Sequence, residues 1–214
     1  MPFGFHRRNM EEAAAAAAKE GRVPADGSRS ARTRSGVPFE GLTDEWRLVG
    51  LMELEGRLLD ILNRREPIPL GDMAWATLDA LDDTTPAPGL QKVDPYDLIV
   101  VLAGDRTLPP LNDAEKAALR VHKVAYDVVL EVPPFRVLGK VFLHAGSEPE
   151  RLMDRSSDLF FPVTNAVVLA GKAQLGAAAS DVVLVNRSYL RGVEQVEGLE
   201  LGAEREARPD EPSG

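Results

Sequence analysis

Trp46-Arg-Leu-Val-Gly-Leu-Met-Glu-Leu54 and Phe135-Arg-Val-Leu-Gly-Lys-Val-Phe-Leu143 share one pattern: an aromatic residue, an arginine, two aliphatics, a glycine, then alternating apolar positions. Alternation with a period of two puts one set of side chains on a core and the other toward solvent, the signature of a half-buried strand. A glycine inside such a strand marks a bulge, a bend or a second backbone at close range. Working outward, Arg57-Leu-Leu-Asp60 aligns with Arg151-Leu-Met-Asp154, and Ile68-Pro-Leu-Gly-Asp72 with Phe161-Pro-Val-Thr-Asn165. Each stretch then has an apolar strand led by aspartate, Asp97-Leu-Ile-Val-Val-Leu102 and Asp181-Val-Val-Leu-Val-Asn186. The order is kept through four matches and only loop lengths differ, which reads as an internal duplication.

The expected fold is therefore mainly β: tandem, internally duplicated small antiparallel β-barrel or sandwich units, a short connecting helix and disordered termini. The Arg-x-x-Asp segments fit one helical turn, where residues three apart can pair. Pro69 and Pro162 belong at a strand start, an edge or a bulge, because proline donates no ladder bond. The segment 79–89, rich in Asp, Thr and Pro, reads as a loop. Asn112-Asp-Ala-Glu115 resembles a capping box and predicts a helix over 112–121. Lys123 to Val132 reads as a strand, turned back by Pro133-Pro134 into the Phe135 strand as a hairpin. Residues 37–111 make the first β repeat and 112–197 the short helix with the second. Neither half is large enough to be generously stable alone. Two barrels and one pseudo-twofold sandwich both fit the pattern.

The flanks differ in composition. Residues 1–36 form a basic arm in which Asn9 caps a short alanine-rich helix ended by Gly21, and Ser28-Arg-Ser-Ala-Arg-Thr-Arg-Ser-Gly36 follows as a solvated tether. Residues 198–214 are acidic and hold too little apolar surface to fold. The chain of 214 residues carries a formal charge of -9. Seven basic and four acidic residues give +3 in 1–36, two and seven give -5 in 192–214, and -7 remains between them. That acidic middle repels phosphate backbones unless basic residues gather locally. Arginine outnumbers lysine nineteen to six, a bias of codon usage that argues for no particular ligand.

The motif Arg57-Leu-Leu-Asp-Ile-Leu-Asn63, the apolar-Pro-[Leu/Val]-[Thr/Gly]-[Asp/Asn] segment and the strand Val183-Leu-Val-Asn-Arg187 resemble an uncharacterised bacterial domain family, and the resemblance occurs twice over 37–196. The resemblance implies a repeated domain and carries no activity with it. The first half has Gly71 where the pattern has threonine, and the second has Ser156-Ser157 in place of Leu-Asn.

Chemistry is sparse. With no cysteine, disulfides, thiolate metal sites and a cysteine nucleophile are excluded. No phosphate-binding glycine loop, GxGxxG or GxSxG is present. Of three histidines, His122 and His144 fall in or beside the predicted hairpin, where Asp127 or Glu131 would complete a mixed metal site. Two unrelated polar residues on a half-exposed strand are the simpler account, and no metal, cofactor or catalytic residue is assigned. Asp79, Asp82 and Asp83 lack EF-hand spacing. Asp94, Asp97 and Asp181 border strands and read as turn caps. The weak binding candidates are Arg57, Asp60, Arg151 and Asp154, read first as structural clips.

Three functional readings follow. A non-catalytic interaction or regulatory protein, binding a protein partner or itself through tandem β modules, comes first. A nucleic-acid-binding small barrel needs a basic, aromatic-bearing face around Arg64, Arg65, Arg187 and Arg191. An enzyme needs a deep pocket near His122, His144 and the Arg/Asp pairs. No apolar run is long enough to span a bilayer and the N-terminus is unlike a signal peptide, so a cytoplasmic chain is expected.

Overall fold

A computed structural model describes residues 36–103, 123–155, 158–171 and 173–197. The alanine-rich helix, most of the basic arm, the helix expected over 112–121, His122, Ser156, Ser157 and the acidic tail lie outside the described residues. Among those described, the protein is mainly β. The first-half strands are β1 (Val37–Leu42), β2 (Trp46–Met52), β3 (Ile68–Pro69), β4 (Gly71–Thr77), β5 (Thr85–Pro86), β6 (Lys92–Val93) and β7 (Val100–Ala103). The second-half strands are β8 (Lys123–Val132), β9 (Phe135–His144), β10 (Phe160–Ala170), β11 (Ala173–Asn186) and β12 (Gly192–Gln195). Helix α1 (Leu58–Asn63) and three 3₁₀ turns, Pro95–Asp97, Pro149–Met153 and Arg187–Tyr189, fill the connections. Part of the segment read as a loop, 79–89, is the short strand β5. None of these helices is long and apolar enough to cross a membrane.

Ten strands form one antiparallel sheet in the order β12-β8-β9-β10-β11-β7-β1-β2-β4-β5, and β3 pairs with β6 in a separate ribbon. The expected closed barrels are not found among the described residues. β7 bonds β1 on one side and β11 on the other, so a second-half strand occupies the edge that closure of the first half would need.

Within this sheet the same order and register occur twice. β7-β1-β2-β4-β5 and β12-β8-β9-β10-β11 run in parallel sequence. Val37 pairs with Met52 as Tyr126 pairs with Val141, and Leu42 with Val100 as Glu131 with Gly192. The main-chain bond from the Ile99 N–H to the Leu42 carbonyl has its counterpart from Arg191 to Glu131, each 2.8 Å. The register shift between β2 and β4 after Val49 is matched between β10 and β9 before Val167. There Asp72 and Asn165 take left-handed backbones, φ 48° and 47°. The glycines of the opening motif face these bulges. A Cβ on Gly50 would lie 2.9 Å from the Gly71 carbonyl oxygen, and one on Gly139 2.9 Å from that of Thr164. Close backbone approach is thus why both strands carry glycine.

One sequence match is placed differently. The Asp97-led and Asp181-led strands, β7 and β11, are hydrogen-bonded neighbours, with Val101 opposite Leu184. By register the counterpart of β7 is β12, each following a 3₁₀ turn whose second residue donates its N–H to the side chain just before the turn, Tyr96 to Asp94 in one case and Ser188 to Asn186 in the other.

The two cores explain the junction. Val100, Val183 and Val185 face a cluster with Val128, Leu130, Phe135, Val137 and Val163. Val101, Ala103 and Leu184 face the opposite cluster, with Phe39, Leu48, Met52, Leu62 and Leu98. β7 and the Val183–Val185 stretch of β11 beside it are therefore a wall shared by two cores, buried on both faces, which is why they read as continuous apolar runs. Pro162 lies outside the part of β10 that β9 pairs, which begins at Thr164. Its missing N–H therefore leaves that ladder intact.

Candidate functional site: an arginine-lined cleft between the halves

β11 ends at Asn186, whose side chain is completely buried. Its amide nitrogen donates to the carbonyls of Pro95 (3.3 Å) and Leu98 (2.7 Å), while its oxygen accepts from the Ser188 N–H (2.9 Å). The main-chain N–H of Asn186 adds a bond to the Ile99 carbonyl. One residue thus starts the Arg187–Tyr189 turn and ties it to the Pro95–Asp97 turn of the other half. The Tyr189 hydroxyl donates to the Tyr96 carbonyl across the same contact. Asp94, the register counterpart of Asn186, caps the Tyr96 N–H at 3.0 Å and is exposed.

A second tie sets α1. The Asn63 side chain accepts from the Phe160 N–H (2.7 Å) and donates to the Phe160 carbonyl (3.2 Å), closing the edge of β10 against the helix. Arg65 follows the helix with φ 62°, a left-handed conformation that is strained for arginine. Between these ties lies a cleft of about 150 Å³ lined by Arg65, Tyr96, Arg155, Asp158, Arg187 and Ser188. Both halves contribute to it.

Arg187 is the fixed member. Its Nε donates to the Asp158 carbonyl at 3.0 Å, one terminal nitrogen to the Leu152 carbonyl, and its guanidinium stands 4.9 Å from the centre of the Phe161 ring. Burial pushes its pKa down, and the negative charges of Asp158 and Asp154 oppose that shift. A guanidinium starts so far above neutrality that Arg187 remains a cation. Three arginines and one aspartate share the lining, in a chain whose formal charge is -9. Guanidiniums are too basic for proton transfer near neutral pH, and the lining holds no histidine or cysteine. The excess of arginine over carboxylate in this lining suits a negatively charged group.

The sequence candidates fare unevenly. Arg57 is exposed at the start of α1 and Asp60 is exposed in its first turn, and no ion pair joins them. Their relation is a main-chain one: the Arg57 carbonyl accepts from the Asp60 N–H. Arg151 and Asp154 repeat it, again through the main chain. At both places the Arg-x-x-Asp spacing coincides with a main-chain turn. None of the four lines the cleft, although Asp154 acts on Arg187 through its charge. Of the basic face expected around Arg64, Arg65, Arg187 and Arg191, Arg65 and Arg187 share the cleft with exposed Tyr96. Arg155 and Asp158 escaped the sequence reading, since no local pattern marks them.

Of the hairpin metal arrangement, His122 lies outside the described residues and the described members do not come together. Asp127 lies 3.0 Å from the Lys140 ammonium and Glu131 bonds Arg136, while His144 sits exposed at the hairpin end. Among the described residues no three His, Asp or Glu side chains gather. A wider, more open hollow of about 320 Å³ lies by Leu51, Met52, Pro69 and Leu70, with Glu53 as the charged residue of its lining. Comparison with family models, curated proteins and solved structures finds no match to this chain.

Proposed function

We propose that the chain is a non-catalytic interaction protein, built from two tandem copies of one β module, that binds a protein partner at the face where the copies meet. The observation that carries this reading is the arginine-lined cleft, which takes residues from both halves and holds one anchored cation, Arg187. The repeated register, with its paired glycines and bulges, supports descent of the halves from one module. Duplication with a rigid junction presents one composite face instead of two independent ones, which suits recognition of a single acidic feature. The earlier likeness to an uncharacterised bacterial domain family fits the same picture and adds no activity to it.

The second reading, nucleic-acid binding, draws on Arg65, Arg187 and exposed Tyr96 standing together. Against it stands the charge of -7 over 37–191, which opposes a long polyanion. Capture from the native host tests both. Full-length protein and an Arg65→Glu/Arg155→Glu variant are immobilised side by side, with and without nuclease. A protein retained by the parent and lost by the variant supports the reading; equal retention overturns the cleft as the docking point. Loss on nuclease treatment transfers the argument to nucleic acid.

A further inference from the structure

The geometry points to a phosphate site: we infer that the cleft takes a phosphomonoester group carried on a side chain of the protein partner. This rests on the partner-binding reading and specifies its chemistry. Three guanidiniums, from Arg65, Arg155 and Arg187, border one small space. A phosphomonoester presents three strong acceptor oxygens, so it meets all three cations, whereas a carboxylate has two. Two of the five N–H donors of Arg187 are committed to the carbonyls of Asp158 and Leu152, which fixes its plane and leaves three for a ligand. Those commitments orient the guanidinium without neutralising it. The Ser188 hydroxyl adds a donor on the same wall.

Size and charge narrow the source. About 150 Å³ accommodates a phosphate with some of its water, but falls below the roughly 300 Å³ at which pockets for larger organic ligands begin. A nucleoside attached to the phosphate would therefore lie outside the cleft. Asp158 in the lining and Asp154 beside Arg187 limit the excess of positive charge, so a weakly charged anion gains little. A compact dianion is the ligand that repays three guanidiniums. A phosphorylated side chain delivers one on a protein, with the rest of the contact area supplied by the partner surface.

Two arms test this on the full chain. Nitrogen-15-labelled protein is titrated with inorganic phosphate and, separately, acetate at constant ionic strength and about pH 7.5, where phosphate is mostly dianionic. The arginine Nε–H signals are followed. Saturable shifts with phosphate are expected, at half-saturating concentrations at least roughly tenfold below acetate. Arg65→Gln/Arg155→Gln is expected to lose that preference while its other backbone signals stay in place. Linear shifts, or equal response to both anions, overturn the inference. In the second arm the host lysate is treated with phosphatase before capture. Loss of the partner supports the phosphate site; its retention overturns the site and leaves partner binding intact. Absence of any captured protein in either lysate counts against the partner reading, and the titration then decides the cleft alone.

Discussion

The two halves of the sheet share a register and differ in what covers their outer strand. In the first, β7 is covered by β11, and all four of its residues pair across that junction. In the second, β12 pairs with β8 and packs beside the Pro149–Met153 turn. Residue type follows this difference. Val100, Val101, Leu102 and Ala103 stand where β12 has Gly192, Val193, Glu194 and Gln195. Asn186, buried, stands where the first half has Asp94, exposed. Backbone architecture is therefore repeated while side chains adapt to burial, and β7 and β11 hold the halves together.

The glycines break the comparison hardest. Beyond the shared carbonyl contact, a Cβ on Gly50 would lie 2.3 Å from the Met73 sulfur, the movable end of a flexible side chain. At Gly139 it would lie 2.6 Å from a Val163 methyl and 3.1 Å from the Ala166 Cα. Valine has one stiff torsion and a main-chain atom cannot step aside. Gly139→Ala is expected to lose about 3 kcal/mol and Gly50→Ala about 2 kcal/mol, by urea unfolding. Equal losses would mean that the second half yields as easily as the first.

The capping pair comes next. Asn186→Ala removes two donors from buried carbonyls and one cap, and is expected to destabilise by about 2–3 kcal/mol. Asp94→Asn keeps an acceptor for the Tyr96 N–H at an exposed site, and is expected to stay within about 0.5 kcal/mol of the parent. A large effect at Asp94 would show that the outer turn carries load which its exposure hides.

Tyr189 gives a pH signature of the junction. Its pKa is raised by burial first, then by the charges of Asp97, Asp44 and Asp94. The folded value lies above the unfolded one, so the associated stability is intact below about pH 10 and declines as pH rises beyond it. Tyr189→Phe is expected to flatten that alkaline decline and to lose about 1 kcal/mol at pH 7 with the bond to the Tyr96 carbonyl. Thermal melts from pH 7 to 11 read both.

How far the sequence carried depends on the range of each interaction. Alternation placed β2 and β9, and the doubled proline placed the β8–β9 hairpin, because these signals lie within ten residues or so. The turn at Arg57 and Asp60 was legible for the same reason, although its hydrogen bond runs through the main chain. The fourth match went to β11 because an apolar run reports burial on two faces and says nothing of position in the sheet. β12, with Glu194 and Gln195 exposed, gave no such run. Sheet closure escaped as well, since alternation marks strand faces and leaves edges open. The cleft draws on residues 65, 96, 155, 158, 187 and 188, which only the assembled junction brings together.

The smallest expected effect compares two arginines at one register position. Arg47 pairs with Leu42 across β1 and β2, as Arg136 pairs with Glu131 across β8 and β9. Arg47 reaches diagonally to Glu40 at 2.8 Å and donates to the Leu81 carbonyl, with the two charged side chains 24% and 33% exposed. Arg136 meets the glutamate opposite it at 3.0 Å, with exposures of 56% and 54%. Water screens the second pair and leaves the first partly shielded, with the Leu81 carbonyl bond added to it. Arg47→Met is expected to lose about 1 kcal/mol, and Arg136→Met no more than about 0.3 kcal/mol. Repeating both unfolding curves in 0.5 M salt separates their causes: about 0.5 M shortens the Debye length well below 8 Å, which should erase the Arg136 effect and leave most of that at Arg47. If salt removes both alike, the carbonyl bond contributes little, and the first half is held at this position by charge alone.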